Sequence, residues 1–404
     1  MDILFIHGNY PAQFRHLATL LGQHPGHRVV FLTARQDANR EALPGVEIHK
    51  YSCHRGPNPD THHYLQASEE AVLQGQAALR EVATLVEAGL RPKVVVSHGG
   101  MGMGLFLKDL LPNTLHVGYF EWFFQPNTTR HLLADFGLDA QLKTGLRNLP
   151  ILQELERCDR AVVPTAWQKA QFPKAYQGKL EVIFDGIDTS FFHLPPAGVD
   201  LKNRNLTLTN RDNGEKVLLE AGRRVLSYAT RGMEPLRGFP EFMRAIPEIT
   251  GKYEDAEVVI AGADRRAYSY DAPSHNGSWK QYLLAELGDF PGKERMHFTG
   301  LLNYEDYRTL LWRSNLHCYF TRPYVTSWSL FEAAACGTTL AISEGPATEG
   351  VVEADSVQWV NLDDQAEITR RLIEGLEQPQ RGARIREGFD LSTNLKRWES
   401  VLNP

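Results

Sequence analysis

Between Leu316 and Pro346 the chain carries residue types that suit an anion bound beside a sugar hydroxyl. Leu316 to Phe320 is a short apolar run, and Arg322, Pro323 and Ser327 interrupt it. Trp328 to Cys336 is small and apolar, the pattern of a helix packed on a sheet. Gly337 supplies its C-terminal stop, and Leu340 to Ile342 reads as the next strand. A loop that delivers a helix N-terminus to the edge of a parallel sheet makes an anion site, because free N–H groups and the helix dipole favour phosphate. Ser329, Leu330 and Glu332 fall within the first turn or so of that helix. A carboxylate there can meet a ribose hydroxyl next to the phosphate. The same pattern also fits a buried crossover that binds nothing.

Two further places carry chemistry. His98 follows the buried run Lys93 to Ser97 and precedes Gly99-Gly100. The C-terminal end of a parallel strand is where α/β proteins bind ligands, although a histidine there can also be purely structural. Glu121-Trp122-Phe123-Phe124 follows the run Leu115 to Phe120. Such an aromatic loop suits sugar stacking or an apolar acceptor tail, and equally suits buried packing. His54, His62 and His63 lie in a polar loop with no partner cysteine or carboxylate cluster, so they read as solvated side chains rather than metal ligands.

The elements that position these residues alternate as strand and helix, which predicts two doubly wound parallel sheets. In the first half, strands are expected at 2–7, 28–33, 46–50, 93–97, 115–120, 160–164 and 179–184. Helices are expected at 12–23, 64–89, 101–111 and 144–157, with Thr165 capping a short one. Residues 193–203 read as a linker, followed by a hairpin that pairs Leu206–Leu208 with Val217–Leu219 around Asn213-Gly214. In the second half, strands are expected at 224–229, 257–261, 295–299, 316–320, 340–342 and 357–360. Helices are expected at 278–287, 303–313, 328–336, 363–377, 381–388 and 392–402.

The length of 404 residues suits two domains. A net charge of −6 with no long basic run argues against a nucleic-acid partner. No apolar run reaches the roughly 20 residues of a membrane-spanning helix. Met1-Asp2-Ile3-Leu4-Phe5-Ile6-His7 lacks the basic start of a signal peptide. Cys53, Cys158, Cys318 and Cys336 are widely spaced, as expected of reduced thiols. The expected location is therefore the cytoplasm, with peripheral association at the inner membrane face left open.

The order and spacing of these features resemble the family-four glycosyltransferases, retaining enzymes of the GT-B fold. Their pattern is Glu, seven residues, Glu, then Ala-x-Ala-x-Gly. Glu332-Ala333-Ala334-Ala335-Cys336-Gly337 matches its second half, while Tyr324 stands at the first Glu position. Tyr324-Val325-Thr326-Ser327-Trp328-Ser329 is similar to a branch of that family in which an aromatic-Val-x-Ser-Trp-Ser run replaces the start. Asp185-Gly186-Ile187-Asp188 resembles the family's hinge segment, with Asp185 in place of Asn. Arg231 and Arg237 match its two basic positions after the first strand of the second domain. Two fixed cations there would stabilise a departing nucleoside diphosphate, and arginine adds bidentate geometry.

The resemblance implies two Rossmann-like domains facing a central cleft. Residues 1–190 would form an acceptor-binding domain and 191–388 a nucleotide-sugar-binding domain. Residues 389–404 would form a helix crossing back to the first. His98, Arg231 and Arg237 would be catalytic. Glu332, Ser329, Leu330, Tyr324, Gly300 and Leu301 would bind the donor. Asn9, Gln13, Glu121 and Trp122 would lie on the acceptor side. The loop holding Asn9 and Gln13 has Ala12 where relatives often have Gly.

The implied reaction moves a sugar from a UDP- or GDP-sugar to a hydroxyl of a glycan, lipid-linked or small glycoside acceptor. It would need neither cofactor nor metal, and the leaving diphosphate would help to take the acceptor proton. Two other classes compete with it. Tyr324 fits a catalytically weak sugar-nucleotide-binding protein. A dehydrogenase is disfavoured, because Gly8-Asn9-Tyr10-Pro11-Ala12 lacks the Gly-x-Gly-x-x-Gly spacing.

Overall fold

The computed structural model describes residues 1–378 and 382–403. The chain separates into two compact units. Unit 1 comprises Met1–Asn127, Phe136–Gly186 and Gly388–Pro404, and unit 2 comprises Thr128–Asp135 and Ile187–Glu387. Thr128–Asp135, expected within the first domain, therefore groups with the second, where residues 130–132 approach the turn at 235–237.

Unit 1 is built on β1 (Asp2–His7), β2 (Arg28–Thr33), β3 (Val46–Lys50), β4 (Pro92–His98), β5 (Leu115–Tyr119), β6 (Arg160–Val163) and β7 (Leu180–Val182). They form one parallel sheet in the order β3-β2-β1-β4-β5-β6-β7. The central strands are apolar on both faces because helices cover both. Phe5, Phe31 and Val96 pack beneath Phe14, Leu17 and the C-terminal helix residue Trp398, whereas Leu4, Ile6 and Val30 pack against Ala78 and Val82 of the helix Gln66–Glu87. The last helix, Leu391–Leu402, is thus part of the unit 1 core.

Unit 2 opens with the antiparallel hairpin β8 (Leu206–Thr209) and β9 (Lys216–Leu219). Its main sheet contains β10 (Arg224–Gly232), β11 (Ala256–Ala263), β12 (Met296–Gly300), β13 (Leu316–Tyr319), β14 (Leu340–Ser343) and β15 (Gln358–Val360). All its pairings are parallel, in the order β12-β11-β10-β13-β14-β15. Both sheets reverse their strand order once, between β1 and β4 and between β10 and β13. Such a switch point opens a crevice at the C-terminal strand ends.

Three expected helices differ, each for a non-local reason. Residues 101–106 are turns, and only Leu107–Leu110 is helical. Buried Glu154, fifty residues on, draws in the N–H groups of Gly100 (2.5 Å) and Gly104 (3.1 Å), which a helix at 101–111 could not offer together. The helix expected at 144–157 is two helices, Leu138–Leu146 and Leu149–Arg157. Between them, the Asn148 side chain accepts from the Phe124 N–H (2.8 Å) and donates to its carbonyl (2.9 Å). The helix expected at 381–388 is absent from described residues 382–388, and residue 381 lies outside the described residues. Ile385 bridges Val352, and the Ala383 N–H donates to Thr338 O.

Candidate functional site

The unit 1 switch point brings four sequence-predicted residues into one hydrogen-bonded chain. His7 ends β1 and His98 ends β4, and their rings lie 4.4 Å apart. The Asn9 N–H donates to His7 Nδ1 (2.8 Å), so the ring proton sits on Nε2, which donates to Gln13 Oε1 (3.0 Å). Gln13 then turns its amide N–H to Glu121 Oε1 (2.5 Å), and His98 Nε2 donates to Glu121 Oε2 (3.3 Å). Burial, and next the neighbouring His98, holds the His7 imidazole well below its ordinary pKa, so it stays neutral.

His98 is 7% exposed, and its Nδ1 meets no hydrogen-bond partner among the described residues. The arrangement fixes the tautomer of the neutral His7 ring and turns Nε2 of His98 to the Glu121 carboxylate. Ala12 takes a φ of +47°, the left-handed region that glycine enters at least cost. Trp122 stands apart from this chain. Its indole is buried against Trp167, with ring centroids 6.0 Å apart, and Phe120 and Phe123 are buried as well. Most of the aromatic loop is core.

In unit 2, β10 ends in the loop that carries Arg231 and Arg237. Arg237 is buried and donates through Nη1 to Thr321 Oγ1 (2.8 Å) and Val325 O (3.2 Å). Those two acceptors belong to the segment after β13, so Arg237 spans the switch point. Gly238 follows at a φ of +64°, where a Cβ would come 2.6 Å from the Phe320 side chain. Arg231 is exposed and donates to the Tyr268 hydroxyl (3.2 Å). The Arg237 guanidinium lies over the Tyr268 ring (5.5 Å), and the Tyr324 ring is 5.8 Å from the same ring. Arg231, Arg237 and Tyr324 are therefore gathered around a tyrosine that the sequence reading did not single out.

The helix Trp328–Ala335 begins beside them. Ser327 caps it, accepting the Ser329 N–H at 3.4 Å and the Leu330 N–H through its carbonyl at 3.2 Å. Tyr319, at the end of β13, holds the Ser327 N–H through its hydroxyl oxygen (2.9 Å). Leu330, expected to bind the donor, is fully buried.

Glu332 is the fifth residue of the helix, just past its first turn. It is 7% exposed and no described residue hydrogen-bonds its carboxyl; burial pushes its pKa up to about 8. Gly300 and Leu301 lie at the end of the edge strand β12. The β8–β9 hairpin covers them: a Cβ on Gly300 would lie 2.2 Å from Asn210 Nδ2, and Leu301 O accepts the Arg211 N–H (2.8 Å).

Glu234 was also missed. It lies between the two arginines in sequence and is fully buried. An acid placed directly before Pro235, between Met233 and Leu236 of the arginine loop, was the available signal.

This geometry can be set beside known proteins. Residues 25–192 match the family model described as Glycosyl transferase family 4 group. The match lies within the half that carries His98 and Glu121. Among solved structures, the chain is similar to a sucrose-phosphate synthase from Thermosynechococcus elongatus, with a TM-score of 0.64 and 15% identity over 100% of this chain and 95% of that one. It is also similar to the N-terminal domain of a Candida albicans trehalose-6-phosphate phosphatase, with a TM-score of 0.59 and 11% identity over 99% and 93% of the two chains. Identities this low show the fold alone: the chain is a GT-B protein with two Rossmann-like sheets. No curated protein sequence matches it.

Proposed function

We propose that this chain is a retaining glycosyltransferase that takes a nucleotide-sugar donor in unit 2 and a hydroxyl-bearing carbohydrate or lipid-linked acceptor in unit 1. The carrying observation is the convergence of Arg231, Arg237, Tyr324 and the capped helix N-terminus at the β10/β13 switch point, with unpaired Glu332 in that helix. Two guanidinium groups and a helix N-terminus suit a diphosphate whose charge grows as the sugar departs. Glu332 suits the two neighbouring hydroxyls of a ribose. In this reading the arginines and the dipole replace a divalent cation, so transfer persists in excess EDTA.

Acceptor binding is assigned to unit 1, whose residues 25–127 and 136–186 lie within the span matched by the family model. There, the Glu121-oriented His98 is the residue offered to an acceptor hydroxyl, with Gln13 donating to the carboxylate and Asn9 fixing the His7 ring that bonds Gln13. The leaving diphosphate takes the proton of the acceptor on the same face. Tyr324, standing where the family pattern has Glu, favours a second reading in which the chain binds sugar nucleotides and transfers weakly. A thermal-shift screen of nucleoside diphosphates and their sugars, followed by transfer assays, tests both. Stabilisation with turnover supports the enzyme, stabilisation without turnover supports the binding protein, and no stabilisation by any nucleotide removes both.

A further inference from the structure

The donor-site reading leaves Glu234 without a role, yet it is the most completely enclosed acid near the arginines. Its Oε2 accepts the backbone N–H groups of Ala267 (2.9 Å), Tyr268 (2.8 Å) and Ser269 (3.0 Å). Successive N–H groups converging on one anionic oxygen form a nest, and such charge-assisted bonds exceed neutral ones in strength. The two loops are also in close contact. The Met233 N–H donates to Ala263 O (3.2 Å), and a Cβ on Gly232 would lie 2.6 Å from Arg265 O.

What this clamp presents is Tyr268. Its side chain is 40% exposed, so core packing does not hold it in place. Its hydroxyl accepts from Arg231, its ring lies beneath the Arg237 guanidinium, and the Tyr324 ring is tilted 56° against it. Two guanidinium groups in one small site repel each other when no anion is bound. A tyrosine between them offers a hydroxyl to one and a π face to the other.

We propose that Glu234 is the positioning residue of the donor site: by clamping the backbone of residues 267–269 it holds Tyr268 as the wedge that keeps Arg231 and Arg237 turned toward one diphosphate. This rests on the reading of those arginines as diphosphate ligands. Glu234 touches no ligand itself. Its effect travels through the Tyr268 backbone to the hydroxyl and ring that face the two cations, so it is specific to the charged end of the donor.

The test is calorimetry on the full chain with UDP and GDP and with the matching monophosphates, alongside melting temperature. Tyr268→Ala removes an exposed ring and leaves the melting temperature in place. It weakens the bound diphosphate by about tenfold and the monophosphate by less, in line with the loss of one aromatic contact to a cation pair. Glu234→Gln keeps a neutral oxygen for the three N–H groups and so retains more diphosphate affinity than Glu234→Ala. In a Tyr268→Ala background Glu234→Gln adds no further loss, because the wedge it positions is gone.

The proposal is overturned if Tyr268→Ala and Glu234→Gln bind the diphosphate like the wild type, if monophosphate and diphosphate weaken equally, or if the two losses add. Should Glu234→Ala fail to fold, the Glu234→Gln and Tyr268→Ala cycle still decides. If Arg231→Ala and Arg237→Ala bind the diphosphate unchanged, the donor-site reading falls first. If they lose affinity while the Tyr268 variants do not, only the role of Glu234 falls.

Discussion

At the scale of single residues, the proposed donor site rests on two arginines and on one acid whose pKa is raised by burial. Arg237 is buried and braced by Thr321 and Val325, whereas Arg231 is exposed and, among the described residues, braced by Tyr268 alone. Removing either should slow transfer by roughly 3 kcal/mol in the transition state, read as kcat/KM of Arg231→Ala and Arg237→Ala. Unchanged kinetics in both would remove them from the mechanism.

Glu332 makes a different prediction. Burial alone raises its pKa to about 8, so it is mostly protonated at neutral pH in the free protein. A ribose that donates hydroxyls to it favours the ionised form, so diphosphate binding should release a proton and tighten as pH rises from 6 to 8. Calorimetry in buffers of different ionisation enthalpy measures the release, and Glu332→Gln should abolish it. Binding without proton exchange would separate Glu332 from the ribose. The same shift fixes the sign for stability. The folded pKa lies above the unfolded one, so the stability this group contributes is complete below about pH 4.5 and fades as pH rises through about 8.

At the scale of elements, local pattern was enough wherever the determinants are local. The strands of both sheets, the hairpin at Asn213-Gly214 and the Thr165 cap, whose hydroxyl accepts the Gln168 N–H at 3.1 Å, were all legible from neighbouring residues. The failures share one cause. Residues 101–106 look helical because nothing nearby announces that Glu154 will collect their glycine N–H groups. Glu234 and Tyr268 meet across thirty-four residues, a distance over which no spacing rule operates. For the candidate site, the arginines and Glu332 could be named from the sequence, but not the tyrosine that joins the arginines.

The glycine turn is testable. Gly102 has a φ of +98°, and a Cβ there would lie 1.8 Å from Ala71 O. Gly102→Ala should therefore destabilise unit 1 by more than the ~1 kcal/mol of an ordinary glycine replacement, and denaturant unfolding measures it. A loss within experimental error would mean that the turn after β4 is not held as described.

At the scale of the whole molecule, the two units repeat one device. Each sheet buries a serine–histidine pair between strands adjoining its switch point: Ser97 with His116 (2.7 Å) in unit 1 and Ser227 with His317 (2.7 Å) in unit 2. Burial lowers His116 to about 4 and His317 to about 3. Their folded pKa values lie below the unfolded value near 6.5, so their contribution is complete above about pH 6.5 and is lost as pH falls toward 4 and 3. Melting temperature followed from pH 7 to 4 should drop, and His317→Asn should flatten part of the fall. An unchanged slope would show that other groups govern the acid limb.

The units thus share a parallel-sheet plan with one crevice each, one lined by a histidine–carboxylate chain and the other by cations and a helix N-terminus. In the proposed reading the first takes the acceptor and the second the nucleotide-sugar donor. The most direct test follows nucleoside-diphosphate release from a panel of UDP- and GDP-sugars in excess EDTA, with and without hydroxyl acceptors, and reads the anomeric configuration of the product by NMR. The account predicts release from at least one donor, acceptor-dependent transfer with retained configuration, and loss of both in Arg237→Ala. Absence of turnover with every donor, an inverted product, or activity that returns only when a divalent metal is restored would contradict it.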